Sequence, residues 1–163
     1  MVLEKTEYTK GYSIGVGGVV LYKDKALLVR RKRGSRAGDW AIPGGFVERG
    51  ETIDVAVKRE VLEETGVEAQ IQGLVAVRSR VINSGDENSA YFIFQLRSTH
   101  DNAHADGIEV DEARFFNLQE ILELSGLQEL TRLVTSKILQ GEAQVLTFHA
   151  HSTISTEEYI IYA

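Results

Sequence analysis

Residues 51 to 66 hold the arrangement in this chain whose residue types and spacing best suit demanding chemistry. Glu60, Glu63 and Glu64 stand at i, i+3 and i+4. On a helix, which turns about 100° per residue, such positions share one face. Carboxylates that close repel one another, and in the last turns they lie at the negative end of the helix dipole. A cation relieves both problems. The hard divalent ions Mg²⁺ and Mn²⁺ prefer oxygen ligands and are the natural candidates. Arg59 is the fixed positive charge inside the cluster, placed to orient Glu51 or Glu63. An ordinary solvated acidic helix face is the alternative that the three glutamates alone leave open.

The element that must carry these side chains is legible around them. Ile53, Ala56, Val57 and Val61 form an apolar stripe at helical spacing. Thr52 suits the N-cap, and Gly66 stands where a left-handed C-terminal cap is wanted. Upstream, residues 13–22 and 26–30 read as a hairpin about Lys23-Asp24, and Pro43-Gly44-Gly45 as a tight turn. Residues 71–82 and 90–97 read as strands, 100–106 as a polar loop, and 114–116 as a further strand. Residues 118–124 and 127–139 read as two helices, the second with Leu127, Leu130, Leu133, Val134 and Ile138 at core spacing. The tail has strand character. His149 and His151 share a face there, but no third ligand accompanies them. An apolar C-terminal strand is also an edge able to pair with a second copy, so a homodimer is one expectation.

From Gly45 to Val67 the chain resembles the Nudix box, G-x5-E-x7-R-E-U-x-E-E-x-G-U with U aliphatic, at every position. Its seven fixed identities would coincide by chance in fewer than about one in 10⁸ windows at ordinary residue frequencies. Trp40-Ala41-Ile42-Pro43-Gly44-Gly45 is similar to the strand and turn that precede the box in that family. The resemblance covers the upstream strands, the box and the chain to about residue 140.

The resemblance implies an α/β fold, a Nudix-type α/β/α sandwich around a mixed β-sheet. No repeat or linker interrupts the chain, so residues 1–163 are read as a single domain with a C-terminal helix and strand-like tail over about 127–163. The implied reaction is divalent-metal-dependent hydrolysis of the pyrophosphate bond in nucleoside diphosphate-X compounds. Glu60, Glu63 and Glu64 would hold Mg²⁺ or Mn²⁺, joined by the backbone carbonyl of Gly44, which matches a ligand position of the family. Glu51 and Arg59 complete the catalytic set. Family members often recruit another carboxylate from outside the box; Glu109 is the first choice here and Glu112 the second. Glu64, Glu63 and Glu109 stay open as the general base. Residues 40–52 are most similar to ADP-ribose pyrophosphatase-type members, so ADP-ribose or a related nucleotide sugar is the expected substrate. A nucleoside triphosphate pyrophosphohydrolase is the alternative, followed by a module that senses a nucleotide without cleaving it. Pro43 is the only proline, so the downstream proline of some ADP-ribose pyrophosphatases is absent.

Arg30, Arg31, Lys32, Arg33 and Arg36 form a dense basic run just before Trp40. Guanidinium groups can grip a diphosphate by paired hydrogen bonds. Arg30, Arg31 and Arg33 are therefore candidate substrate-binding residues, against the plainer reading of a solvated loop. Arg78 is another; it shares a strand face with Arg80. Tyr12, Tyr22, Tyr91 and Phe92 are candidates to stack on a base.

A chain of 163 residues can bury a substantial core. Its net charge of −6 disfavours a stable nucleic-acid partner or an anionic membrane surface. A nucleotide-derived small molecule bridged by metal remains compatible, because the ions supply positive charge locally. The lack of cysteine excludes disulfides, thiolate zinc sites and cysteine nucleophiles. No apolar signal core or membrane-length stretch is visible, and the expectation is a soluble, cytoplasmic protein with no membrane partner.

Overall fold

The computed structural model describes residues 11–82, 87–150 and 160–162. Strand β1 (Tyr12–Tyr22) runs through the middle of the sheet and is almost entirely buried after Ile14. It pairs antiparallel with β2 (Lys25–Arg31) across the expected turn, Leu21 lying opposite Ala26. β3 (Trp40–Ala41) adds to β2, and the short β4 (Gly44–Phe46) adds to β1 with Gly17 opposite Gly44. After the helix α1 (Ile53–Thr65) come β5 (Gln70–Ile82) and β6 (Glu87–Arg97), an antiparallel pair. β6 lies parallel to β1, from Asn88 beside Tyr12 to Arg97 beside Leu21. β7 (Val110–Asn117) returns along β2. The order β3-β2-β1-β6-β5, with β4 on β1 and β7 on β2, is a mixed sheet.

Strand alternation sorts side chains into two cores. Val16, Val20 and Leu27 face α1, meeting Ala56, Val57 and Val61. Val19, Leu21, Ala26 and Leu28 face the opposite layer, α2 (Leu118–Glu123) and α3 (Glu129–Leu139), with Phe116, Ile121, Val134 and Ile138. This is the α/β/α sandwich. Gly18 lets α1 approach closely: a Cβ there would lie 2.9 Å from Val61 and from Leu96.

Helix ends follow local chemistry, with departures from the sequence expectation. Gly66 takes the left-handed cap of α1 (φ 66°) and its N–H donates to the Leu62 carbonyl at 2.8 Å. Thr52 occupies the N-cap position but does not cap; its hydroxyl donates to Asp54 at 2.6 Å instead. The first turn thus carries Asp54 without a threonine bond to the backbone. α2 has a full capping box: Asn117 accepts from Glu120 N–H (2.9 Å), and Glu120 accepts from Asn117 N–H (2.7 Å). α3 begins two residues later than expected, because Trp40 engages the preceding segment, bonding Gly126 O (2.9 Å) and Gln128 N–H (3.0 Å). Leu133 is exposed, and Thr131 and Thr135 take the buried positions. Thr131 accepts from Ile42 N–H (3.3 Å) and Thr135 donates to the Thr131 carbonyl (2.7 Å), so the hydroxyls are not left unsatisfied.

The tail runs beside the edge strand β5. Leu146 exchanges two 2.9 Å hydrogen bonds with Leu74. β8 (Phe148–Ala150) pairs antiparallel with β9 (Ile160–Tyr162), and the Tyr162 ring packs edge-on against Phe94 at 5.3 Å. β8 and β9 thus pair with each other within the chain. His151 lies outside the described residues, as do residues 1–10 and 83–86. No helix among the described residues is long and apolar enough to cross a membrane.

Candidate active site

Arg59 is the hub around which the acidic cluster is arranged. Its Nε and Nη2 donate to the two carboxylate oxygens of Glu51 at 2.8 and 3.0 Å, a bidentate fork. Nη1 donates to Glu60 (2.9 Å) and Glu63 (3.2 Å), and Nη2 also reaches the Phe46 carbonyl (3.0 Å). Glu51 additionally accepts from Glu48 N–H at 2.9 Å, so both of its oxygens are held. The Arg59 guanidinium, aided by Glu48 N–H, keeps the Glu51 carboxyl below the usual range, although its partial burial opposes this. Glu51 and Arg59 thus fix the orientation of Glu60 and Glu63.

Glu60 and Glu64 lie deeper than Glu63. Burial raises the Glu60 carboxyl, Arg59 opposing it and Glu63 and Glu109 adding to it. Glu64 is 5% exposed and is pushed up to about 8, first by burial, with Gly44 N–H opposing and Glu60 adding to the rise. That N–H donates to Glu64 at 3.0 Å. The described contact of Gly44 with the cluster is through its amide. Only glycine fits there: φ is 155° and a Cβ would lie 2.7 Å from the Gly17 backbone. At Gly45 a Cβ would overlap the Glu60 carboxyl group, so the turn and the helix approach as closely as chain atoms allow.

Glu109 joins this group from outside the helix, on a cleft of about 480 Å³ lined also by Glu60, Glu63, Arg59 and Arg31. Its loop is held by Asp106, which accepts from the N–H groups of Ile108, Glu109 and Val110 at 2.8–3.1 Å. Lys32, just after β2, closes the loop, its N–H donating to Glu109 O at 2.8 Å and its ammonium to Gly107 O at 2.5 Å. Glu112 goes elsewhere, pairing with Arg30 at 3.1 Å and Arg114 at 3.8 Å.

The arginines divide by strand alternation. Arg30 faces away from the cleft, bound to Asp111 (2.7 Å) and Glu112, over the Trp40 ring at 5.8 Å. It is thus not among the cleft-lining residues, unlike Arg31 and Arg33. Arg78 lines the cleft too, stacked on Tyr91 at 5.1 Å and donating to Ser89 Oγ at 3.0 Å. A second cleft, about 400 Å³, adjoins the first; Arg31, Phe46, Arg78, Arg80 and Tyr91 line both. Of the four aromatic candidates the fold brings Tyr91 to this space. Tyr12 is exposed elsewhere, Tyr22 packs on Phe115 and Phe92 lies against the α1 core. Sequence reasoning missed Phe46, which is 70% exposed and lines both clefts. Its place directly after Gly45, in the turn facing the helix carboxylates, was the available signal.

Comparison with known proteins agrees with this geometry. The family model described as NUDIX domain matches residues 11–136. The chain belongs to the Nudix family. It is 34% identical to an ADP-ribose pyrophosphatase of Methanocaldococcus jannaschii over 69% of this chain and 66% of that protein. It is 33% identical to Nudix hydrolase 8 of Arabidopsis thaliana over 69% of this chain and 31% of that protein. The chain therefore spans less than two thirds of the length of these curated relatives. The fold matches a MutT Nudix hydrolase of Burkholderia pseudomallei with a TM-score of 0.68 at 23% identity, covering 79% of this chain and 99% of that one.

The side chains placed to hold a metal in this Nudix site are the carboxylates of Glu60, Glu63 and Glu64. Among the described residues no three such side chains already converge as a cage. Arg59 holds Glu60 and Glu63, and Gly44 holds Glu64. Yet the donors are all oxygen, and Glu60 and Glu64 stay raised by burial and by neighbouring carboxylates even with Arg59 and Arg31 opposing the rise. They fit a hard divalent ion.

Proposed function

We propose that this Nudix chain hydrolyses the pyrophosphate bond of nucleoside diphosphate-X compounds with Mg²⁺ or Mn²⁺, with ADP-ribose or a related nucleotide sugar as first candidate. The observation that carries this reading is the juxtaposition of an acidic cluster on α1 with an arginine-lined cleft. The similarity to an ADP-ribose pyrophosphatase supports the choice of substrate.

Glu60, Glu63 and Glu64 would hold the metal, which when bound neutralises charge on phosphate oxygens and acidifies water. Residues of the chain supply the rest. Arg59, locked by Glu51, keeps Glu60 and Glu63 on the cleft side of α1. Arg31 meets oxygens of the diphosphate, and the exposed Phe46 offers a ring face. Glu109 shares the cleft and carries no ion pair among the described residues, so its carboxylate takes the proton from attacking water.

The test is a substrate panel with Mg²⁺, scoring AMP or phosphate release from ADP-ribose, NADH, nucleotide sugars and nucleoside triphosphates. AMP from ADP-ribose above the others supports this reading; a triphosphate preference moves it to nucleotide-pool cleaning. Glu64→Gln should keep the melting temperature and lower turnover by about 10²-fold or more. Wild-type turnover in that variant would remove Glu64 from the site.

A further inference from the structure

The cleft beyond the acidic cluster contains more positive charge than a single diphosphate needs. Arg31, Arg33, Arg36, Arg78 and Arg80 all line it, with no carboxylate among its lining residues. Among the described residues none of the five has an ion pair, whereas Arg30, Arg59 and Arg114 all do. Guanidinium groups gathered this way repel one another unless an anion lies between them.

Arg78 carries a donor that the described residues do not use. Its Nε is buried and has no hydrogen-bond partner, although Nη2 reaches Ser89. Burial first, then Arg80 and Arg36, disfavours its charged form, and Tyr91 only partly offsets them. A buried orphan donor is costly, and a phosphate oxygen is the acceptor that best matches a guanidinium fork. The diphosphate to be cleaved belongs beside Glu60, Glu63 and Glu109, where a metal would compensate it. A nucleoside or a plain ribose in the adjoining cleft would offer these arginines hydroxyls and no charge.

We infer that the substrate bears at least one phosphate beyond the scissile diphosphate, seated among Arg33, Arg36, Arg78 and Arg80. This rests on the pyrophosphohydrolase reading and replaces its first candidate: within the nucleoside diphosphate-X class, a compound whose X moiety adds a phosphate is favoured over unmodified ADP-ribose, which lacks such a group. The extra phosphate belongs either to a longer linear polyphosphate or to a phosphorylated ring of the X moiety; the recognising chemistry is the same.

Two matched substrate pairs separate these sources: diadenosine tetraphosphate against diadenosine diphosphate, and NADPH against NADH. One member carrying extra phosphate should be favoured about ten-fold in kcat/KM, the scale of one charge-assisted hydrogen bond. The double variant Arg36→Gln, Arg80→Gln should lower kcat/KM for that member about ten-fold more than for its partner. Calorimetry with the metal-free protein gives a readout independent of turnover. Inorganic tripolyphosphate should bind the wild type about ten-fold more tightly than pyrophosphate, and the double variant should lose the difference. Equal kcat/KM within both pairs, with tripolyphosphate bound no better than pyrophosphate, would overturn the inference. If no compound is turned over but the arginine-dependent tripolyphosphate preference persists, the anion site stands and the hydrolase reading falls.

Discussion

At the scale of single residues, this site is built on the difference between a guanidinium and a simple positive charge. Arg59 satisfies Glu51 with a two-point fork while a third nitrogen steers Glu60 and Glu63. A lysine keeps the charge but cannot make the fork and the bridge together. Arg59→Lys should therefore fold and lower kcat by about ten-fold or more, since misplaced ligands weaken transition-state stabilisation. Steady-state kinetics beside a circular dichroism spectrum checks this; unchanged kcat would show that charge alone suffices. The five cleft arginines illustrate the complementary case, guanidinium groups with no carboxylate partner among the described residues.

At the scale of elements, the helices and loops around the site are held by a few backbone-directed side chains. Arg132 on α3 donates to the carbonyls of Ile121, Leu122 and Leu124 at 2.5–2.7 Å, satisfying the open C-terminal end of α2. Arg132→Ala should cost about 1–3 kcal/mol in urea unfolding while leaving KM near the wild-type value, because the bonds are charge-assisted and Arg132 lines neither cleft. Asp106 does the same for the loop that presents Glu109. Its burial opposes ionisation, but Val110, Ile108 and Glu109 N–H groups and then Lys32 outweigh it, leaving the carboxyl below its usual value. A depressed folded-state value means the contribution is present above the unfolded pKa and lost as pH falls through the folded one. Acid titration should thus loosen this loop below the ordinary aspartate range, and Asp106→Asn should flatten that part of the stability profile. An unaltered profile in hydrogen exchange of Glu109 and Val110 would contradict the assignment. The same scale shows where periodicity misled: α3 buries Thr131 and Thr135 and exposes Leu133, since bonds to Ile42 and to the helix backbone make the hydroxyls acceptable inside.

At the scale of the whole molecule, the sheet brings together groups that are distant along the chain. Gly44, Glu64, Arg78 and Glu109 come from four different segments and are brought together because β4 joins β1, β1 joins β6, β6 joins β5, and β7 joins β2, with Glu64 bonded to Gly44. A divalent ion that binds only this assembled cluster must stabilise the fold by mass action, about 2.7 kcal/mol at a hundred times its Kd. Mg²⁺ or Mn²⁺ should therefore raise the melting temperature of the wild type, and far less that of a Glu60→Gln, Glu64→Gln variant. Equal shifts in both proteins would place the ion elsewhere. The sequence by itself determined the helix from Ile53 to Thr65, its glutamate face, its Gly66 stop and the family, because these depend on spacing within a few turns of one element. It also determined the β1–β2 hairpin, where alternation and a two-residue turn act locally. Tertiary structure alone decided that Arg30 pairs with Asp111 while Arg31 enters the cleft, that Glu109 and not Glu112 reaches the glutamates, and that Phe46 lines the clefts. It also decided that the tail pairs with itself. Those outcomes depend on strand register and on which chain segments lie side by side, and neither is encoded in the spacing of any single stretch.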